Sequence, residues 1–182
     1  MKFDHQADPV LGGVLAHWVN IRGARSMPAR RDLVLRDIRR LLPHVQLVDV
    51  ADGGTRFQHR LVGTKLVEMF GEEYTKKYLD ELLTGVRYEL MASLYTDVSR
   101  FKRPIFLRNL YRVPRGIEII TNRIYLPLSN DSETVTMILC AITFDSPHSL
   151  AGEWRTALLE RGYVDREEID PDTLRPFTAS VG

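Results

Sequence analysis

Histidines, a single cysteine, a run of arginines and several tyrosines are the residues of this chain that could do chemistry, and their spacing decides which chemistry. His17, His44, His59 and His148 show no paired ligand spacing, so no metal site is expected. Cys140, the one cysteine, excludes an internal disulfide and any Cys-rich metal cluster. Proton transfer by Asp, His and Tyr would need a recognisable constellation, and neither a nucleophile elbow, a phosphate loop nor a metal motif is present. Catalysis is therefore not expected.

The arginines carry the strongest local charge. Arg22, Arg25, Arg30, Arg31, Arg36, Arg39 and Arg40 place seven cations within 19 positions, against Asp32 and Asp37. Guanidinium groups suit phosphate and carboxylate, which makes Arg22, Arg25, Arg36 and Arg40 candidate anion-binding residues. The alternative is a solvated helix face whose arginines pair with nearby carboxylates. Over the whole chain the net charge is only +1, so no global field draws it to nucleic acid or membrane. No apolar run is long enough to cross a bilayer, and residues 1–9 lack the apolar core of a signal peptide. A cytoplasmic protein is expected.

The elements that would position these residues follow from periodicity. Asp8-Pro9 predicts a helix start, and Leu11, Val14, Leu15, Trp18 and Ile21 repeat at helical spacing up to Gly23. Gly12 and Gly13 weaken this helix by about 1 kcal/mol each, so it needs a docking surface. A short helix is predicted over 35–42, closed by Pro43. Strands are predicted over 45–50 and 56–62 with Asp52-Gly53-Gly54 as the turn, then a short helix over 63–70 stopped by Gly71. Another short helix is expected within 74–83 and a longer one over 87–101, with Tyr88, Met91, Ala92, Tyr95 and Val98 on one side. Three strands follow over 104–113, 116–126 and 134–144, then a helix over 150–161 and a loose tail from Asp165. In the last strand Val135, Met137, Leu139 and Ala141 alternate with Ile138, Cys140, Ile142 and Phe144. Both faces are apolar, so both must be covered.

Trp18 with Arg22, Arg25 and Pro28, then Leu41-Leu42-Pro43, Leu47-Val48-Asp49-Val50, Arg60-Leu61-Val62-Gly63-Thr64, Phe70-Gly71 and Leu126-Pro127-Leu128 occur in an order that resembles the PAS domain family. Within it, the residues resemble a bacterial single-domain subgroup whose signal is unknown. That subgroup usually starts a helix with Asp-Pro before Leu-Leu-Pro, where this chain has Leu35-Arg36-Asp37. The resemblance implies an α+β fold: a five-stranded antiparallel sheet with short helices on one face, an N-terminal helix and a C-terminal helix. The expected organisation is a helical flank over 1–43, a PAS-like core over 44–146, and a C-terminal helix and tail over 147–182. It implies a sensor or adaptor acting on a protein partner in trans, frequently as a homodimer, and no catalytic residues.

A ligand pocket is expected between sheet and helices, lined by Phe57, His59 and Leu61 from one strand and Tyr88, Met91 and Tyr95 from the long helix. Asn109, Thr121 and Arg123 would add polar groups. The alternative is a closed core that binds only protein. Leu11, Val14, Leu15, Trp18 and Ile21 either cap the sheet within one chain or form a dimer and output surface. The cofactor stays open. Haem sensors of this fold offer a His from the long helix, which has none here. The flavin photochemistry of the light-sensing relatives needs a Cys in the helical region, whereas Cys140 lies on the last strand.

Overall fold

In the computed structural model, which describes residues 6–112, 118–145, 158–159 and 165–175, seven strands form one antiparallel sheet. They are β1 (Val45–Ala51), β2 (Arg56–Val62), β3 (Ile105–Arg112), β4 (Glu118–Leu128), β5 (Met137–Phe144), β6 (Leu158–Leu159) and β7 (Asp165–Glu168). The order is β2-β1-β5-β4-β3-β6, with β7 also paired to β3. The five expected strands are the first five. Two short strands enlarge the sheet where a helix and a loose tail were expected. Leu158–Leu159 pairs with Tyr111 and Arg112, so the helix expected over 150–161 does not include these two residues; the rest of that span lies outside the described residues. β7 pairs along Ile105 to Arg108, and Ile169 behind it is fully buried. The physical reason is the outer edge of β3, whose N–H and C=O groups need partners.

Cross-strand register sorts the side chains by face. Gln46 opposes Cys140, Cys140 opposes Tyr125, and Arg123 opposes Ile142, so these residues share one face. Leu47, Leu139 and Leu126 share the other. The two apolar registers of β5 are thus both buried, as its sequence requires.

α1 (Pro9–Arg22) covers the second face, packing on β5 and β4. The Asp8 carboxylate caps it, accepting from the N–H groups of Val10 and Leu11 at 2.8 and 2.9 Å, and its other oxygen accepts from Thr143 Oγ1 at 3.0 Å. Asp8→Ala should therefore cost about 1–2 kcal/mol, seen as a lower urea midpoint at unchanged slope. An unmoved midpoint would show that water replaces the cap without loss. Gly12 and Gly13 have a use here: a Cβ on Gly12 would meet Gln6 O at 2.4 Å, and one on Gly13 would meet Leu41 Cδ1 at 3.1 Å. Close approach, not helix propensity, explains them.

The first face is covered by α2 (Thr64–Phe70), α3 (Leu79–Leu82) and α4 (Gly85–Phe101). The helix expected over 35–42 is replaced by two 3₁₀ turns, Leu35–Ile38 and Leu42–His44, with Pro43 inside the second. Neither turn has a side-chain cap to extend it into an α-helix. Both sheet edges are engaged: β3 by β6 and β7, and β2 by the segment before α3, where His59 N–H donates to Lys77 O at 3.0 Å and Gln58 bridges to Tyr78.

Candidate ligand pocket

Between α3, α4 and the inner sheet face lies a cavity of about 50 Å³. Gln46 from β1, His59 from β2, Tyr111 from β3, Arg123 from β4 and Ile142 from β5 form its floor. Phe70, Tyr74, Leu79, Leu82, Leu83, Arg87, Met91 and Tyr95 close it from the helical side.

Polar groups inside it are wired to one another. Tyr74 OH donates to Gln46 Oε1 at 3.1 Å, and Gln46 Nε2 donates to Tyr95 OH at 3.3 Å. Tyr95 lies tilted against Phe57 and edge-on to Tyr125, with ring centroids 5.0 and 5.8 Å apart. Burial raises the pKa of Tyr74, Tyr95 and Tyr125, so all three hydroxyls stay protonated and can donate. Burial also lifts the Cys140 thiol to about 12, which leaves it an inert apolar group.

Arg123 is the unusual member. It is 5% exposed. Its Nε donates to Thr121 Oγ1 at 3.1 Å and its Nη2 to Tyr111 OH at 2.7 Å. The guanidinium carbon lies 5.9 Å from the Phe70 ring and 5.6 Å from the Tyr111 ring. Burial pulls its pKa down, but the surrounding hydroxyls of Tyr111 and Tyr125 more than offset this, so it remains a cation. A second guanidinium, Arg87, stands 5.9 Å from the same Tyr111 ring. Its pKa is lowered, first by burial.

His59 is 4% exposed, edge-on to Tyr74 at 5.0 Å, and its Nδ1 lies 3.3 Å from Lys77 O. Burial drops its pKa from 6.5 to about 4, with the backbone contact to Lys77 opposing. The imidazole is thus neutral at pH 7. Between pH 6.5 and 4 the unfolded chain takes up the proton first, so stability is lost as pH falls through this window, by up to roughly 3 kcal/mol. Urea midpoints at pH 7.0 and 4.5 measure this. In His59→Gln the part of the acid loss due to this residue should vanish, and an identical pH dependence in the variant would contradict the assignment.

Of the expected pocket residues, His59, Met91, Tyr95 and Arg123 line the cavity. Phe57 lies behind Tyr95, and Thr121 supports Arg123. Asn109 is buried opposite Thr121 on β3 without lining the space. Tyr88 packs at the margin of the core, its helical neighbour Arg87 taking the inward position. Leu61, expected beside His59, lies on the opposite face. A bulge in the β1–β2 pairing sets Leu61 against Leu47 but His59 against Val48, so Arg60 is the extra residue and the alternation flips. The sequence reading missed Gln46, Phe70, Tyr74, Leu79, Leu82, Leu83, Arg87, Tyr111 and Ile142. The signal available was Gln46, a polar residue in an otherwise apolar strand.

The remaining candidates sit elsewhere. Leu11, Val14, Leu15 and Trp18 are buried in the chain's own core and Ile21 packs against it. Trp18 Nε1 donates to Pro127 O at 2.9 Å. These side chains cap the sheet and cannot also form a dimer surface while α1 stays docked. Arg22 donates to Asp172 Oδ1 at 2.8 Å and to the carbonyls of Pro171 and Arg25. Arg25 pairs with Asp32 at 2.6 Å. Arg36 and Arg40 are exposed around a surface hollow that Asp37 shares. The four arginines therefore do not converge on one anion site: two are spent on intrachain partners. Among the described residues no group of three His, Cys, Asp or Glu side chains could hold a metal ion, and no helix is long and apolar enough to cross a membrane.

With this sheet order and pocket in hand, the class is defined by comparison as well. A family model described as a PAS domain matches residues 8–143 of the 182. The chain belongs to the PAS domain family, whose members are sensory and interaction modules, generally non-catalytic. No curated protein matches it.

Proposed function

We propose that this chain is a sensory or adaptor domain of bacterial signal transduction that binds a small molecule in the cavity under α4 and acts on a protein partner in trans, in the cytoplasm and without catalysis of its own. The observation that carries the reading is a cavity on the helical side of the sheet with a buried, neutral-partnered Arg123 in its wall. A core meant only to be filled would place an apolar side chain there.

The same α4 that forms the cavity roof donates an acceptor to the sheet edge: Arg166 of β7 binds Asp97 at 2.6 Å. Beyond β7, Asp172 reaches Arg22 of α1. A ligand that binds one seating of α4 better than another shifts the population of this tail-to-α1 contact, which is the available route to a partner. A homodimer belongs to the same proposal, on a surface other than the buried stripe of α1.

A ligand-free interaction scaffold is the second reading. It is favoured by the small cavity, about 50 Å³ against roughly 300–1,000 Å³ for drug-sized sites. Native mass spectrometry of freshly purified protein, followed by solvent extraction, separates the two. A retained small molecule, or ligand-dependent protection of α4 in hydrogen exchange, supports the sensor. Bare mass in every preparation, with α4 exchange indifferent to every cytosolic metabolite extract tried, supports the scaffold.

A further inference from the structure

The cavity is chemically lopsided. Two guanidinium groups, Arg123 from β4 and Arg87 from α4, border it, and among the described residues its lining contains no Asp or Glu. None of the hydrogen-bond partners of Arg123 among the described residues is a carboxylate; Thr121 and Tyr111 are neutral hydroxyls. Two of five guanidinium N–H donors are used in these bonds, and the nearby Tyr125 hydroxyl is buried without a hydrogen-bond partner among the described residues. A buried cation that lacks an anion is costly, and an anion held in good hydrogen-bonding geometry offsets part of that cost. For Arg123 the described residues supply the aromatic support and the enclosure, but not an anion.

Size and shape narrow the occupant. About 50 Å³ admits a ligand of roughly four heavy atoms. That is far too little for haem or flavin in this arrangement. The rest of the lining is largely apolar, with Leu79, Leu82, Leu83, Met91 and Ile142. A planar guanidinium with spare N–H groups matches a planar two-oxygen acceptor. Apolar walls then suit a short hydrocarbon tail on that acceptor.

We propose that the cavity binds a small carboxylate, such as a two- or three-carbon acid, with Arg123 as its principal anchor and Arg87 as a second cation. This rests on the reading of the cavity as a small-molecule site. It does not involve the exposed arginines of the 3₁₀ segment, which face solvent elsewhere.

The test is isothermal titration and thermal unfolding of the full chain with sodium acetate and propionate, against acetamide and propionamide as neutral isosteres, at constant ionic strength. The acids should bind saturably and at least about tenfold tighter than the amides, and should raise the unfolding temperature. Arg123→Met should abolish the preference for the acids while the far-ultraviolet spectrum stays native. Arg87→Gln, on the half-buried side of α4, should weaken acid binding by about tenfold and serves as the readout if the first variant does not fold. Equal binding of acids and amides, unchanged in Arg123→Met, overturns the carboxylate assignment and leaves the small-molecule reading standing. Binding of neither series, with only water in the cavity of the crystallised protein, overturns both.

Discussion

Trp18→Ala should destabilise the protein by about 3–5 kcal/mol, the largest effect expected of any single substitution here. Trp18 is fully buried at the contact between α1 and the outer sheet face. Its removal opens a cavity between Leu11, Val14 and Leu15 on the helix and the β4–β5 strands, and it deletes the Nε1 bond to Pro127 O. It also removes the ring beneath Arg22, whose guanidinium carbon lies 5.8 Å away. The glycines of α1 make the helix depend on this docking rather than on its own propensity. Urea unfolding measures the change. A loss below about 1 kcal/mol would mean that α1 is not seated on the sheet in solution, and that its apolar stripe is free for a partner.

Gly63→Ala should be nearly as damaging, by several kcal/mol, for a steric reason. Gly63 has φ of −69° and ψ of 149°, an ordinary extended conformation, so left-handed backbone is not what demands glycine. A Cβ would instead meet Leu42 O at 2.3 Å, Pro43 O at 2.4 Å and Pro43 C at 2.6 Å. All three are backbone atoms of the Leu42–His44 turn, which cannot swing aside like a side chain. Overpacking typically costs about 1–3 kcal/mol, and rigid backbone puts this site at or above the top of that range. Gly63 N–H also donates to Val45 O at 2.8 Å, so displacement strains the start of β1. A midpoint for Gly63→Ala within error of the parent would contradict this packing. Serine in place of alanine should be no better tolerated.

These two sites show why some of the fold could be read from residues and some could not. The strand-to-helix passage at Gly63-Thr64 is local, and so is the Asp8-Pro9 start of α1; both are visible in the chain. That Leu42-Pro43 presses on Gly63 is a tertiary fact with no local sign. Alternation in β5 announced burial on both faces because every position from Met137 to Ile142 is apolar. Alternation in β2 misled, since Phe57, His59 and Leu61 keep period two in sequence while the bulge at Arg60 breaks it in space. α4 was readable as a helix, but its rotation was not. An arginine at position 87 reads as solvent-facing, whereas i, i+4, i+8 spacing brings Arg87, Met91 and Tyr95 to the cavity. The partners of Arg22 lie far along the chain at Pro171 and Asp172, so its charge looked available when it is not. β6 and β7 were missed for the same reason: two leucines and an acidic tetrapeptide have little strand signal of their own, and the open edge of β3 recruits them.

The pocket follows the same division. His59, Met91, Tyr95 and Arg123 were legible as residue types on plausible faces, whereas Leu79, Leu82 and Leu83, which make much of the apolar wall, were not. What could not be read was that the guanidinium would be enclosed with hydroxyls and aromatic rings instead of a carboxylate. That enclosure is the physical basis of the functional account, because it leaves the fold with a fixed interior charge that a ligand can complete.

The most direct measurement is a nuclear magnetic resonance titration of the isotopically labelled chain with sodium acetate, observing the Arg123 Nε–Hε signal and the Met91 methyl together. The account predicts that both shift along one saturable curve, while Arg36 and Arg40 signals move little. Shifts confined to Arg36 and Arg40, with Arg123 and Met91 unmoved to saturation, would contradict it.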